Sequence, residues 1–178
     1  MSDAYVPVFA DYHQFVIGDS EAFATGEQEV QQNPDPTGLI ITPHRMWAYI
    51  ATGVSIGPVA VNLRLRSEVP SSHGLTEWED VAEVSLFVRD GEKIAAFDLD
   101  QTGASSPALA PAPGWHRVRV HARGRDARYD LPTDVPVEQY LIEVWHAPFR
   151  PAEKVKLTSA AGVSLLAAWG DQDEGFAP

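Results

Sequence analysis

The clearest pattern in the sequence is the run Val59-Ala60-Val61-Asn62-Leu63-Arg64-Leu65-Arg66. Its odd positions are all apolar, whereas Asn62, Arg64 and Arg66 point to the opposite side of an extended chain, because successive side chains of a strand alternate between faces. Alternation of this kind is typical of a strand with one face on a core and the other in water. The run therefore predicts a strand of a half-buried sheet.

A second alternating run covers residues 81–89. Four of its side chains are expected to face inward: Ala82, Val84, Leu86 and Val88. Asp90-Gly91 follows directly, and Asp-Gly favours a hairpin turn because glycine tolerates the positive φ that tight turns require. The next extended segment, residues 93–99, is then expected to be the partner strand. The sequence predicts a β-hairpin at this point.

Short extended segments rich in β-branched and aromatic residues recur along the chain, separated by turns and loops. Besides the two runs above and residues 93–99, they cover residues 5–9, 12–17, 39–42, 46–52, 116–122, 139–146, 154–158 and 163–169. One helical turn is expected around residues 22–30, and no long amphipathic helix is predicted. The spacing favours an all-β fold, either a sandwich or a barrel-like fold. We expect a single-domain antiparallel β-sandwich of about nine short strands over residues 1–170, with an acidic, flexible tail at 171–178.

Composition and charge exclude some classes of protein. The chain has 178 residues, of which 25 are acidic and 13 basic, so its formal net charge is −12. Residues 1–36 hold seven carboxylates and no Lys or Arg, and residues 171–178 hold three more, whereas the segment between them is nearly neutral. A generally basic nucleic-acid binder is excluded, because its domain would carry a net positive charge.

The acidic segment without bases is the first candidate binding surface. Five carboxylates are expected to form it: Asp19, Glu21, Glu27, Glu29 and Asp35. A basic protein would be drawn to such a surface by electrostatic steering. The segment therefore predicts a non-enzymatic protein-interaction module with a basic protein partner, although acidic loops also serve solubility alone.

An arginine-rich strand is the alternative binding surface. Residues 115–128 hold five arginines, and one face of the expected strand carries Arg117, Arg119, His121 and Arg123. Guanidinium groups bind phosphate and carboxylate bidentately, which predicts an anionic-ligand or nucleic-acid site. The competing interpretation is an outer face on which these cations pair across strands with acids such as Glu83 or Glu143.

Residues typical of catalytic or metal sites do not stand together in the sequence. The absence of cysteine excludes disulfides, Fe–S clusters and thiol nucleophiles. The six histidines form no helical i, i+4 pair, and the serines at 71–72 and 105–106 lie in loops without a catalytic signature. Asp98 and Asp100 share a strand face but flank a loop, so they are expected to be solvated. We therefore expect no enzyme activity, cofactor or metal, with a histidine site built from separate strands left open.

The N-terminal sequence has no basic region followed by an apolar stretch, so no secretory signal is expected. The longest weakly polar run, residues 160–169, has ten residues, whereas about 20 are needed to span a bilayer. These observations predict a soluble cytoplasmic protein without a membrane partner.

The tetrapeptide Tyr12-His13-Gln14-Phe15, near the N-terminus and followed by an acidic loop, resembles the competence protein J family. The later segment 140–145, with Trp145 at its end, is similar to a tryptophan-bearing strand of that family, though less closely. Members of the family are small acidic cytoplasmic proteins, among them the inhibitor of the DNA-entry nuclease. The resemblance thus implies an inhibitor or immunity-type partner of a basic protein such as a nuclease, and it identifies no inhibitory residue.

Overall fold

The computed structural model describes residues 4–26, 37–71 and 74–173, without the side chains of 170–173. Most of the ordered elements are strands. The strands are β1 Val6–Asp11, β2 Gln14–Gly18, β3 Ile40–Ile41, β4 Trp47–Ala51, β5 Ile56–Arg66, β6 Asp80–Val88, β7 Ala95–Phe97, β8 Gly114–Arg123, β9 Gln139–His146 and β10 Glu153–Leu157. The helices are α1 Ser20–Thr25 and α2 Ala160–Asp173, with a 3₁₀ turn at Leu75–Glu77.

These strands form one mixed sheet. Its order is β10-β6-β8-β9-β5-β1-β2-β4-β3, with β7 paired to β2 beside this path. Strands β5 and β9 run parallel, and the other neighbouring pairs of the described strands run antiparallel. The all-β class is confirmed, whereas the antiparallel β-sandwich is wrong. Side chains alternate with a period of two in both parallel and antiparallel strands, so the sequence pattern could not show that β5 and β9 run parallel.

The sheet curls into a half-barrel around one core. The core contains side chains from strands far apart in the sheet order, such as Ile50 of β4 and Val84 of β6. The segment before β4 also reaches β6 directly, because Phe87 N donates to Arg45 O at 2.7 Å. The curl therefore buries the concave face without a second sheet.

The two alternating runs have the predicted inward faces. Val59 and Val61 are fully buried, and Leu63 and Leu65 pack against the core. The four inward side chains predicted for residues 81–89 are also buried. Their outward neighbours Glu83 and Ser85 are buried as well, because the segments around residues 70 and 150 cover the convex face.

The predicted hairpin of residues 81–89 with 93–99 is wrong. Strand β6 pairs with β8 and β10, whereas β7 pairs with β2. The Asp90-Gly91 turn is present, and Glu92 closes it by accepting hydrogen bonds from Arg89. Strand β8 forms nine residue pairs with one edge of β6, and β10 pairs with the other edge. Both edges of β6 are therefore occupied, and the three-residue strand β7 pairs with β2 instead.

The strand predicted at residues 163–169 is also wrong, because this segment belongs to α2. It is rich in Ala and Leu, which have the highest helix propensities. Ser159 caps the helix by accepting a hydrogen bond from Gly162 N at 2.9 Å, and Asp126 accepts from Ala160 N and Ala161 N. Helix α2 continues to Asp173, inside the expected tail, and residues 174–178 lie outside the described residues.

A buried ion pair joins distant parts of the chain. Arg125 Nη1 lies 2.6 Å from Asp80 Oδ2 and also donates to Gly38 O. The other oxygen of Asp80 accepts hydrogen bonds from Thr158 N and Ser159 N. Burial alone would raise the pKa of Asp80, but the hydrogen bonds from Ser159 and the charge of Arg125 outweigh it and hold this pKa below its usual value.

Replacement of Asp80 by Asn should lower the free energy of unfolding by about 3–5 kcal/mol, because it leaves the Arg125 guanidinium buried without a counter-charge. Urea denaturation at pH 7 measures the change. Asp134→Asn, which neutralises an exposed aspartate, is the matched control and should change stability by less than about 0.5 kcal/mol. A loss below about 1 kcal/mol for Asp80→Asn would show that the pair does not hold the fold together.

Candidate functional site

Tyr12 and His13 form the turn between β1 and β2, where the sequence predicted a continuous strand over residues 12–17. Asp11 and Gln14 pair across the turn, and both turn residues have left-handed backbone, with φ of 49° and 60°. A two-residue turn of this kind ordinarily takes Asn-Gly, because a side chain at positive φ is disfavoured. The fold therefore holds a tyrosine and a histidine at a sterically disfavoured position.

Contacts with two neighbouring loops fix this turn. His13 N donates to Ser55 O at 3.1 Å, and Thr52 N donates to His13 O at 2.8 Å. His13 Nε2 lies 3.0 Å from Asp130 Oδ1, and the Asp130 backbone is also left-handed. The turn is thus anchored on both sides before any partner is present.

The same region exposes large apolar side chains. Tyr12 is 78% exposed, Tyr129 51% and Leu131 49%, and Ile56 lies beside them with 41%. The three segments are adjacent, since Asp11 pairs with Ile56, Ser55 N donates to Leu131 O, and the ring of His13 lies 6.3 Å from that of Tyr129. We call this patch the turn surface: Tyr12, His13, Ile56, Tyr129, Asp130 and Leu131.

A buried carboxyl supports the turn surface from the core side. Glu138 accepts hydrogen bonds from Val54 N at 2.6 Å and Gly53 N at 3.2 Å, and the Tyr140 hydroxyl donates to it as well. Burial raises the pKa of Glu138, although these hydrogen bonds act in the opposite direction. A Cβ at Gly53 would lie 1.7 Å from Arg125 O, so only glycine permits this approach of the two loops.

The predicted acidic surface is described only in part. Asp19 is the N-cap of α1, and its Oδ1 accepts from Ala22 N at 2.8 Å, which gives this carboxylate a structural role. Glu21 is exposed in the first turn of α1. The other three predicted members, Glu27, Glu29 and Asp35, lie outside the described residues.

The predicted arginine face is present, and its first two members, Arg117 and Arg119, form ion pairs with a carboxylate. Glu83 binds both, accepting from Arg117 Nε at 2.9 Å and from Arg119 Nε at 2.7 Å. Arg117 is 1% exposed and also donates to the carbonyl oxygens of Arg150 and Pro151. This is the cross-strand pairing that the competing interpretation described for Glu83.

The remaining two members of that face have partners on β9. Arg123 donates to Gln139 Oε1 and lies over the ring of Trp78, 4.9 Å from its centroid. His121 Nδ1 donates to Leu141 O at 3.1 Å, and its Nε2 lies 4.0 Å from Glu143 Oε2. Burial lowers the pKa of His121 in spite of that hydrogen bond and of the nearby carboxylate.

Within the described residues, no three His, Asp or Glu side chains are grouped as a metal site. In the same part of the chain, neither helix is long and apolar enough to cross a membrane.

Sequence reasoning did not find most of the turn surface. Tyr129 and Leu131 stand in the polar segment between the strands predicted at residues 116–122 and 139–146, and Ile56 precedes the alternating run. One signal was available: large apolar residues between polar turn residues have no periodic partner that would bury them.

No family model matches the sequence, and no curated protein matches it. Solved structures similar to the chain include one described as crocagin biosynthetic gene J, with a TM-score of 0.51, 18% identity, and coverage of 83% of this chain and 97% of that chain. They also include ComJ of Bacillus subtilis, described as inhibitor of the DNA degrading activity of NucA, with a TM-score of 0.48, 13% identity, and coverage of 83% and 99%. A competence protein J structure is thus among the similar structures, as the tetrapeptide resemblance predicted. At these identities the likeness concerns the fold alone.

Replacement of Glu83 by Gln should lower the free energy of unfolding at pH 7 by about 3 kcal/mol, because it leaves the buried Arg117 with only the exposed carboxylate of Glu153, 3.7 Å away. Burial would raise the pKa of Glu83, but the two arginines hold it below its usual value. Its stabilising effect is therefore complete above the ordinary carboxyl range and is lost as pH falls through the folded-state pKa.

Urea denaturation of the wild type and Glu83→Gln at pH 7 and at about pH 3 measures this dependence. The difference between the two proteins should shrink at the acidic pH, whereas Glu77→Gln, at an exposed position, should match the wild type at both. A difference that stays constant with pH would contradict the assigned ion pairs.

Proposed function

We propose that this chain is a non-enzymatic protein-binding module and that the turn surface is the centre of its interface. The observation that carries the proposal is the exposure of Tyr12, Tyr129 and Leu131 on a patch fixed by hydrogen bonds. Exposed apolar patches mark interaction sites, and tyrosine is enriched among residues that contribute most to binding. A fixed turn also loses little conformational entropy on binding.

The charge of the chain favours a basic partner. The first 36 residues carry seven carboxylates without a base, and two members of the turn surface, Tyr12 and His13, belong to this segment. Complementary charge would steer association with a basic protein, and the rate would fall with ionic strength. A nuclease is one such partner, since its cleft must attract polyphosphate, so an inhibitor or immunity-type role in the cytoplasm is the specific form of this proposal.

The arginine face supports this choice over an anionic ligand. Arg117 and Arg119 already bind Glu83, so a phosphate group would have to displace a buried carboxylate. The alternative site at Arg117, Arg119, His121 and Arg123 stays a prediction, and no feature of its geometry favours it over protein binding.

Affinity capture with the full chain as bait tests the proposal. The wild type should retain a basic protein at low salt, with less retained at physiological salt. Tyr12→Ser and Leu131→Ser should each weaken that binding at least about tenfold, since central apolar contacts each contribute more than about 1.4 kcal/mol. Val69→Ser is the matched control, because it removes an apolar side chain outside the turn surface whose exposure, 62%, lies between those of Leu131 and Tyr12.

Glu21→Lys should slow association without a large change in the dissociation rate, because a charge at the rim acts mainly through steering. Surface plasmon resonance with the captured partner measures both rates. The proposal fails if no basic protein binds at either salt concentration, or if Tyr12→Ser and Val69→Ser bind equally well.

A further inference from the structure

Three aspartates share one cavity at the side of β1. The cavity has a volume of about 360 Å³ and lies between β1, the start of β5 and the segment after β7. Its acidic lining residues are Asp11, Asp98 and Asp100, and the described residues that line it include no Lys, Arg or His. The cavity therefore collects negative charge with no cation on its walls.

Asp98 has an unused oxygen in the interior. The residue is 4% exposed, and its Oδ2 accepts hydrogen bonds from Thr102 N at 3.2 Å and Gly103 N at 2.8 Å. Its Oδ1 is buried and has no hydrogen-bond partner among the residues that the structure describes. Burial of an unpaired carboxylate oxygen is costly, so a ligand at this atom would be stabilising.

Asp100 brings a second carboxyl to the same place. Its Oδ1 accepts from Thr102 N and from Thr102 Oγ1, the latter at 2.8 Å. Thr102 N lies 3.2 Å from Asp98 Oδ2 and 3.2 Å from Asp100 Oδ1, so the two carboxyl groups lie side by side. Two carboxylates at this separation repel each other unless a proton or a cation lies between them.

The sequence of this segment has the spacing of a calcium loop. Asp98-Leu99-Asp100-Gln101-Thr102-Gly103 places oxygen ligands at positions 1, 3 and 5 and glycine at position 6. It departs from the EF-hand at position 12, where Leu109 stands in place of the closing glutamate.

We propose that Asp98, Asp100 and Thr102 bind a calcium ion, with the Oδ1 atom of Asp98 as its buried ligand. Ca²⁺ accepts six to eight oxygens in flexible geometry, so backbone carbonyls and water can complete a shell that begins with two carboxylates. Mg²⁺ requires a smaller, near-octahedral shell and is expected to bind less well. Without the closing glutamate, the dissociation constant should be about 10⁻⁴ to 10⁻³ M.

Thermal unfolding of the full chain in calcium chloride tests this site, with magnesium chloride and sodium chloride at matched ionic strength as controls. Calcium at about ten times its dissociation constant should raise the melting temperature by about 3–5 °C, more than magnesium does. The amide resonances of Thr102 and Gly103 should shift in the same titration, because their N–H groups bind the Asp98 carboxylate.

Asp98→Asn and Asp100→Asn should each weaken the calcium response at least about tenfold, because each removes one of two carboxylate ligands. The side-chain oxygen of an asparagine at position 98 can still accept hydrogen bonds from Thr102 N and Gly103 N, and its NH2 group can donate to Asp100. This variant is therefore expected to fold. Asp134→Asn removes an exposed carboxylate elsewhere and should keep the full response.

Two results would overturn the proposal. One is a melting temperature that calcium does not change. The other is a calcium response that stays the same in both Asp98→Asn and Asp100→Asn.

Discussion

The ion pair between Asp80 and Arg125 is the interaction on which the rest of the structure depends. Both side chains are fully enclosed, and their shared hydrogen bonds tie together Gly38, the start of β6, the loop after β8 and the residues before α2. A buried ion pair offsets its desolvation only when further partners complete it, and here Ser159 also donates to Asp80. The same buried ion pair therefore holds the curled sheet together and fixes the start of α2 against it.

The curled sheet leaves few places for a partner. Its concave face is filled by the apolar core, and the cations of its convex face are bound by Glu83, Gln139 and the covering segments. The turn surface lies at the end of β1 and β2, where the loops around Ser55 and Asp130 meet. Glu138 holds the loop around Ser55 from the core side, so the same polar interior that stabilises the fold also shapes the exposed patch.

The sequence predicts the parts of this fold that depend on local pattern. Alternation identified the inward faces of residues 59–66 and 81–89, because burial on one side of a strand imposes a period of two. It could not identify the partner of β6 or the parallel pairing of β5 with β9, since pairing depends on contacts between distant segments. Residues 163–169 were assigned to a strand from their apolar content, whereas the cap at Ser159 and the Ala-rich composition make this segment helical. Alternation also placed Arg117, Arg119 and Arg123 on one strand face and named Glu83 and Glu143 as candidate partners, but the register of β6 with β8 was needed to identify Glu83 as the acid that binds Arg117 and Arg119.

Hydrogen exchange of the chain, alone and bound to its captured basic partner, tests the central claim most directly. If the turn surface is the centre of the interface, amides in residues 12–14, 53–57 and 128–133 should exchange more slowly in the complex. Protection that is confined to residues 117–123, or that leaves the turn surface unchanged, would contradict the account and move the interface to the arginine face.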